Sequence, residues 1–178
     1  MGKFNVGPEA LVTGSAMVEG EARIADDAIV TGNALVTGNA LVEDEARIAD
    51  DAIVTGNALV RGKALVGGKA RIGGNARLTG NARVAGNATV TGKARIGGTA
   101  TVEGKALIYG IMRSDGYCFV YVPCVDGEWR VMAGCRCFTM PEAREHWLRT
   151  RGGTALGDET SVILDCLERL RAVKPDGV

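Results

Sequence analysis

His146, in the stretch PEAREHWLR, is the only histidine among 178 residues. An imidazole is the usual side chain for moving a proton near neutral pH, so any acid–base chemistry would centre there. The five cysteines, Cys118, Cys124, Cys135, Cys137 and Cys166, all lie C-terminal of residue 117. An odd number confined to one segment reads as thiols of a reducing compartment rather than a disulfide framework. Cys135 and Cys137, joined by Cys124 or His146, could ligate zinc, but the paired C-x-x-C knuckles of a structural site are missing. C-x-C on a strand turns both thiols to one face, as in a core, and Cys166 falls on an apolar helix face, where a thiol packs as a small hydrophobe.

The remaining chemistry is cationic. Lys plus Arg equals Asp plus Glu at 21 each, yet residues 10–57 carry nine acids and two bases, whereas residues 58–105 carry nine bases and one acid. Arg71, Arg77, Arg83 and Arg95 in the basic half, and Arg136, Arg144, His146 and Trp147 further on, are the candidate ligand-binding residues, because guanidinium forks suit phosphate. That points to an anionic, nucleotide-like small molecule. Duplex DNA is not favoured: residues 10–108 offer no aromatic side chain for stacking and no helix to enter a groove.

The element that must position the arginines is a repeat. From Ala10 the chain reads in sixes (ALVTGS, AMVEGE, ARIADD, AIVTGN) for 16 units to Lys105 without an insertion. Position one is always Ala, position three Val, Ile or Leu, and position five Gly or Asp. Positions one and three share a side of an extended segment, and Gly or Asp suits a corner. A helix is excluded, since a glycine every sixth residue would cost about 1 kcal/mol each time. Stacking such units buries one Ala and one aliphatic per unit.

This pattern resembles the hexapeptide-repeat family. The resemblance implies an all-β solenoid, a left-handed parallel β-helix with three units per coil and five-plus coils, and chains that associate as homotrimers. Many members are acyltransferases that use a CoA thioester and a histidine base, but the array here has no histidine and no interrupting loop. Eighteen residues per coil would stack outward residues in ladders. One is Met17, Leu35, Ile53, an apolar strip that reads as the trimer interface. The stretch EARIADDAIVTGNALV occurs at 21–36 and again at 45–60. That offset of 24 places the copies on different faces, so the duplication preserves a building unit rather than one outward site.

Beyond Gly110 the period stops. YCFVYVPCV and EWRVMAGCRCF flank Asp126-Gly127, a hairpin signal. Thr139 and Glu142 have capping-box spacing around Pro141. A last helix is expected from about Asp158, with Val162, Ile163, Cys166, Leu167, Leu170 and Val173 on its apolar face. The expected organisation is a lead-in over 1–9, the β-helix over 10–108, and a small α+β (β-β-α-α) module over 109–178 that caps the last coil. Gly134, Cys135, Arg136, Phe138, Thr139, Glu142, Ala143, His146 and Trp147 are similar to a short C-terminal module of phage and prophage solenoid proteins. With no apolar run of membrane-span length and no signal-peptide core, residence in a bacterial cytoplasm is expected. The functional expectation is a non-catalytic homotrimer, phage-encoded, that sequesters an anionic signal without a cofactor as a counter to host defence. The alternatives are a structural virion or scaffold trimer, and an acyltransferase with His146 as base.

Overall fold

A computed structural model describes residues 5–104, 106–124, 126–134 and 136–173; Lys105, Cys135 and the side chain of Val173 lie outside what it describes. The chain winds as a left-handed parallel β-helix of about five coils, followed by two helices. Each unit contributes a short strand, and each strand pairs in parallel with the one 18 residues on, so three sheets run the length of the coil. On the Met17 face the register is Met17↔Leu35, Leu35↔Ile53, Ile53↔Arg71 and Arg71↔Thr89. The Leu11 face runs Leu11, Ile29, Arg47, Leu65, Arg83, Thr101. The Arg23 face runs Arg23, Leu41, Leu59, Arg77, Arg95. Arg23 and Arg47, equivalent residues of the duplicated stretch, are therefore on different faces.

The two inward positions of each unit form one continuous core, with every member from Ala22 to Val102 at most 3 % exposed. Corners follow from the fifth position. Asp26, Asp44 and Asp50 have φ of 54°, 60° and 60°, and the glycines that alternate with them are also left-handed. A Cβ on Gly62 would stand 2.9 Å from the backbone nitrogen of Gly80 in the next coil, so close stacking reinforces the need for glycine. The aspartates offset their strain by reaching across coils. The Gly62 N–H donates to Asp44 Oδ2 at 2.9 Å, and the Gly68 N–H donates to Asp50 Oδ2 at 2.8 Å.

The last coil is closed by the tail. Strand β1 (Leu107–Met112) pairs in parallel with Thr89–Gly92 and antiparallel with β2 (Cys118–Pro123). Antiparallel β3 (Trp129–Ala133) and β4 (Arg136–Phe138) follow, then α1 (Met140–Arg151) and α2 (Ala155–Val173). The boundary expected at 108–109 falls inside β1, and the module has one more strand of its own than the β-β-α-α expectation. β4 is only three residues long, too short for a periodic signal. Alternation splits β2 between two cores. Cys118, Val120 and Val122 join the solenoid core, while Phe119 and Tyr121 face the helices with Val131, Ala143, Trp147, Ile163, Leu164 and Leu167.

The hairpin turns at Asp126–Gly127 as expected, with Gly127 at φ 79°. The capping box of α1 is present, the Thr139 N–H donating to Glu142 Oε2 at 2.8 Å. Helix α2 departs from expectation in its buried stripe. Thr160, Ile163, Leu164 and Leu167 are buried, whereas Val162, Cys166 and Leu170 are exposed. The spacing 162, 166, 170 defines an adjacent stripe that rotates away from β2 and α1, so Cys166 is not a packing residue. Buried Arg113 locks the turn after β1 onto α2, donating to Asp115 Oδ2 at 2.7 Å and to Thr160 Oγ1 at 2.9 Å.

Candidate functional site

The 18-residue coil sends the four arginines of the basic half to three faces. Arg71 stands on the Met17 face, Arg83 on the Leu11 face, and Arg77 and Arg95 are neighbours on the Arg23 face. A four-arginine cluster does not form within one chain. The chain builds instead a shallow groove of about 560 Å³ on the Met17 face, lined by Asp51, Ile53, Lys69, Arg71, Asn87 and Thr89. Its construction is periodic. Asp51, Lys69 and Asn87 are sixth residues of their units and project from one corner, while Ile53, Arg71 and Thr89 are the outward residues of the strands that follow. Arg71 was legible as a candidate. Lys69, Asp51 and Asn87 were missed, although the 18-residue spacing, applied to corners as well as strands, would have found them.

Electrostatically the groove is a cationic step. Lys69 and Arg71 are exposed, and among the described residues neither makes an ion pair. The cations of the preceding corner differ: Lys63 meets Glu45 at 3.3 Å and Arg61 approaches Glu43 at 4.0 Å. Asp51 accepts from Asn33 Nδ2 at 3.0 Å, which orients its carboxylate along the corner. The apolar ladder expected as an interface runs straight into the groove, because Ile53 belongs to both. Met17 is 54 % exposed, and Leu35 and Ile53 are half-buried.

In the tail the candidates separate. Arg144 bridges the two helices, donating to Asp165 Oδ1 at 2.7 Å and Glu168 Oε2 at 2.8 Å, so its charge is already answered. Trp147 is 6 % exposed and belongs to the core between helices and sheet. Of these two candidates, one is thus engaged in ion pairs and the other covered. Arg136 is exposed and His146 half-buried. The His146 ring stacks on Phe138 with centroids 4.9 Å apart and meets Trp147 edge-on at the same distance. Burial, and then the charges of Arg136 and Arg149, hold its pKa below the ordinary 6.5, which favours the neutral imidazole. Arg149 was not among the sequence candidates, although it lies one turn beyond His146.

Among the described residues, which do not include Cys135, no group of three or more His, Cys, Asp or Glu side chains is placed to hold a metal ion. Cys118 is buried, donates to the Lys93 carbonyl at 3.2 Å, and has its pKa raised by burial, which leaves it an inert thiol. Among the described residues no helix is long and apolar enough to cross a membrane.

No protein-family model and no curated protein matches the chain. Solved structures do. The acetyltransferase domain of PglB from Neisseria gonorrhoeae FA1090 is 20 % identical over 57 % of this chain and 51 % of its own, with a TM-score of 0.47. The same domain in complex with acetyl coenzyme A gives 21 % over 57 % and 54 %, with a TM-score of 0.30. A histidine-to-asparagine mutant of perosamine N-acetyltransferase from Caulobacter crescentus, in complex with CoA and GDP-perosamine, is 18 % identical over 56 % and 54 %, with a TM-score of 0.39. The chain thus spans about half the length of these structures. All three are acetyltransferases, and the expectation of a non-catalytic sequestering protein, with that of no enzymatic activity, is corrected accordingly. At these identities the likeness is one of fold, and the reaction has to be argued from the chain's own residues.

Proposed function

We propose that the chain is a CoA-dependent acyltransferase that works as a trimer, with the donor lying in the Lys69–Arg71 groove. The observation that carries this reading is the double membership of Ile53. A second copy seated on the Met17, Leu35, Ile53 ladder would also wall the open side of the groove, turning a shallow surface into a cleft between subunits. Such a cleft suits an extended, polyanionic thioester. Arg71 and Lys69 would meet its phosphates, one as a fork and the other as a point charge, and Ile53 and Thr89 would line its aliphatic arm. The volume lies within the range of small-molecule sites, roughly 300–1,000 Å³.

The reaction needs a base. An acceptor amine or hydroxyl attacks the thioester carbonyl, loses its proton, and the CoA thiolate leaves and is protonated. The carboxylate lining the groove is Asp51, and it takes that proton in this reading. The decisive experiment is acyl-CoA turnover with a panel of amino and hydroxyl acceptors. Lys69→Glu with Arg71→Glu should raise KM for acyl-CoA about a hundredfold, as expected from two lost charge-assisted contacts. Asp51→Asn should lower kcat with KM unchanged. Wild-type protein that binds no acyl-CoA in calorimetry refutes the reading. Turnover lost in His146→Ala but kept in Asp51→Asn moves the base to the tail.

A further inference from the structure

Outside the groove, the tail holds a second cationic cluster that its packing does not explain. The segment from Gly134 to Trp147 assigns most of its side chains a structural duty. Gly134, at φ 61°, leaves room for the Tyr117 hydroxyl, which a Cβ would meet at 2.5 Å. Thr139 and Glu142 cap α1, and Ala143 and Trp147 are buried. Phe138 lies edge-on to Trp147 at 5.6 Å and stacks on His146. Arg136 and His146 are left over, and Arg149 lies one helical turn beyond His146. Among the described residues, neither arginine makes an ion pair and the His146 ring has no hydrogen-bond partner, whereas Arg113, Arg130 and Arg144 are all paired.

The geometry brings the three together. Arg136 and Phe138 are alternate residues of β4, so they share a face, and Phe138 is the residue on which the His146 ring rests. Arg149 follows His146 by one helical turn, the spacing that makes side chains neighbours. Two aromatic rings fix the imidazole from two sides, which leaves its edge as a preset donor or acceptor rather than a free rotor. The nearest acid one turn back on α1, Glu142, is held by the Thr139 N–H and hydroxyl, and Glu145 is exposed on the adjoining stripe. Two guanidiniums without ion pairs among the described residues, both near enough for their charge to act on one immobilised imidazole, form a grip for a compact dianion.

We propose that Arg136, His146 and Arg149 form a phosphate-ester binding site on the tail, distinct from the groove on the coils. It is open and small, so it grips one phosphate end of a substrate rather than enclosing a whole molecule. The phosphate belongs either to the acyl acceptor or to CoA itself. Both the bound dianion and the imidazole benefit when His146 is protonated. Binding therefore reverses the effect of the two arginines on the ring, which at present favour its neutral form.

Because His146 is the chain's only histidine, its ring gives a single set of signals in NMR of histidine-labelled protein. Titration with inorganic pyrophosphate should shift those signals saturably and raise the ring's pKa. Arg136→Gln or Arg149→Gln should weaken that binding about tenfold each, and Lys69→Glu should leave it unchanged. A second titration with CoA, and a third with glucose 1-phosphate, assign the source: saturation by CoA names the donor, and saturation by the sugar phosphate alone names the acceptor. The site is refuted if the ring does not respond to millimolar pyrophosphate, or if the Arg136→Gln/Arg149→Gln double variant responds as the wild type does. Since binding is read directly, loss of turnover in the groove variants and loss of the His146 response are separate failures.

Discussion

The two ends of the solenoid obey different rules. At the C-terminal end, β2 lies across the last coil, and the inward residues there are sealed: Val102 is 0 % and Ala100 3 % exposed. At the other end the inward Ala10, Val12, Ala16 and Val18 are only half-buried, with Val6 42 % and Leu11 51 % exposed. The repeat makes both from the same unit, and at the C-terminal end it is the tail, lying across the last coil, that seals the inward residues. A periodic sequence specifies a coil but cannot specify where coiling stops; that takes residues that break the period.

The sharpest way to test this contrast is to place the same charge in each end. Val120→Asp would bury a carboxylate between solenoid and helices and should cost about 4 kcal/mol or more. Val12→Asp, half open to water, should cost about 1 kcal/mol or less. Urea midpoints at constant slope distinguish the two, and equal losses would break the comparison. A second pair inverts the ranking, because each corner Cβ points toward the following coil. Gly62→Ala meets Gly80 as well as an unfavourable φ and should cost about 3 kcal/mol, whereas Gly98→Ala meets nothing within 4 Å and should cost about 1 kcal/mol for φ alone.

The smallest effect lies in the cap itself. Thr139→Ala removes the N-cap of α1 and should lower stability by about 1 kcal/mol. The same site carries a pH signature. Hydrogen bonds from Thr139 hold the Glu142 carboxyl below its ordinary 4.5. A lowered folded pKa means the contribution is present above 4.5 and is lost as pH falls through the lower folded value. Thermal melts of Glu142→Gln should therefore show less loss of stability on acidification than the wild type.

Most of the coil was legible because its information is local and repeated. Ala at position one, an aliphatic at position three and Gly or Asp at position five fix strand, core and corner, and the arithmetic of 18 places every ladder. The capping box and the Asp126-Gly127 turn were legible for the same reason, each being a local rule. What the sequence concealed depends on contacts between distant segments. Cys166 and Leu170 share an apolar period with Ile163 and Leu167, but only the placement of α1 and β2 decides which stripe is covered. Trp147 beside His146 reads as a binding pair until Phe119 and Phe138 are seen to enclose the indole. Arg144 reads as a free cation until Asp165 and Glu168 arrive from α2. The groove was half visible: Arg71 stood out by type, while Lys69 and Asp51 needed the corner to be read as a ladder in its own right.

Strand β1 is parallel to its neighbour on one edge and antiparallel on the other. That gives the molecule a mechanical direction. Pulled along the chain, the consecutive antiparallel β1–β2 and β2–β3 hairpins would unzip one hydrogen bond at a time, because their free ends lie side by side. A coil of the solenoid, by contrast, leaves the stack as one 18-residue turn, like a turn of rope from a spool. Each coil so released frees 18 residues, a step of about 60 Å of extended chain. The tail and the coils thus give way to force in steps of different size.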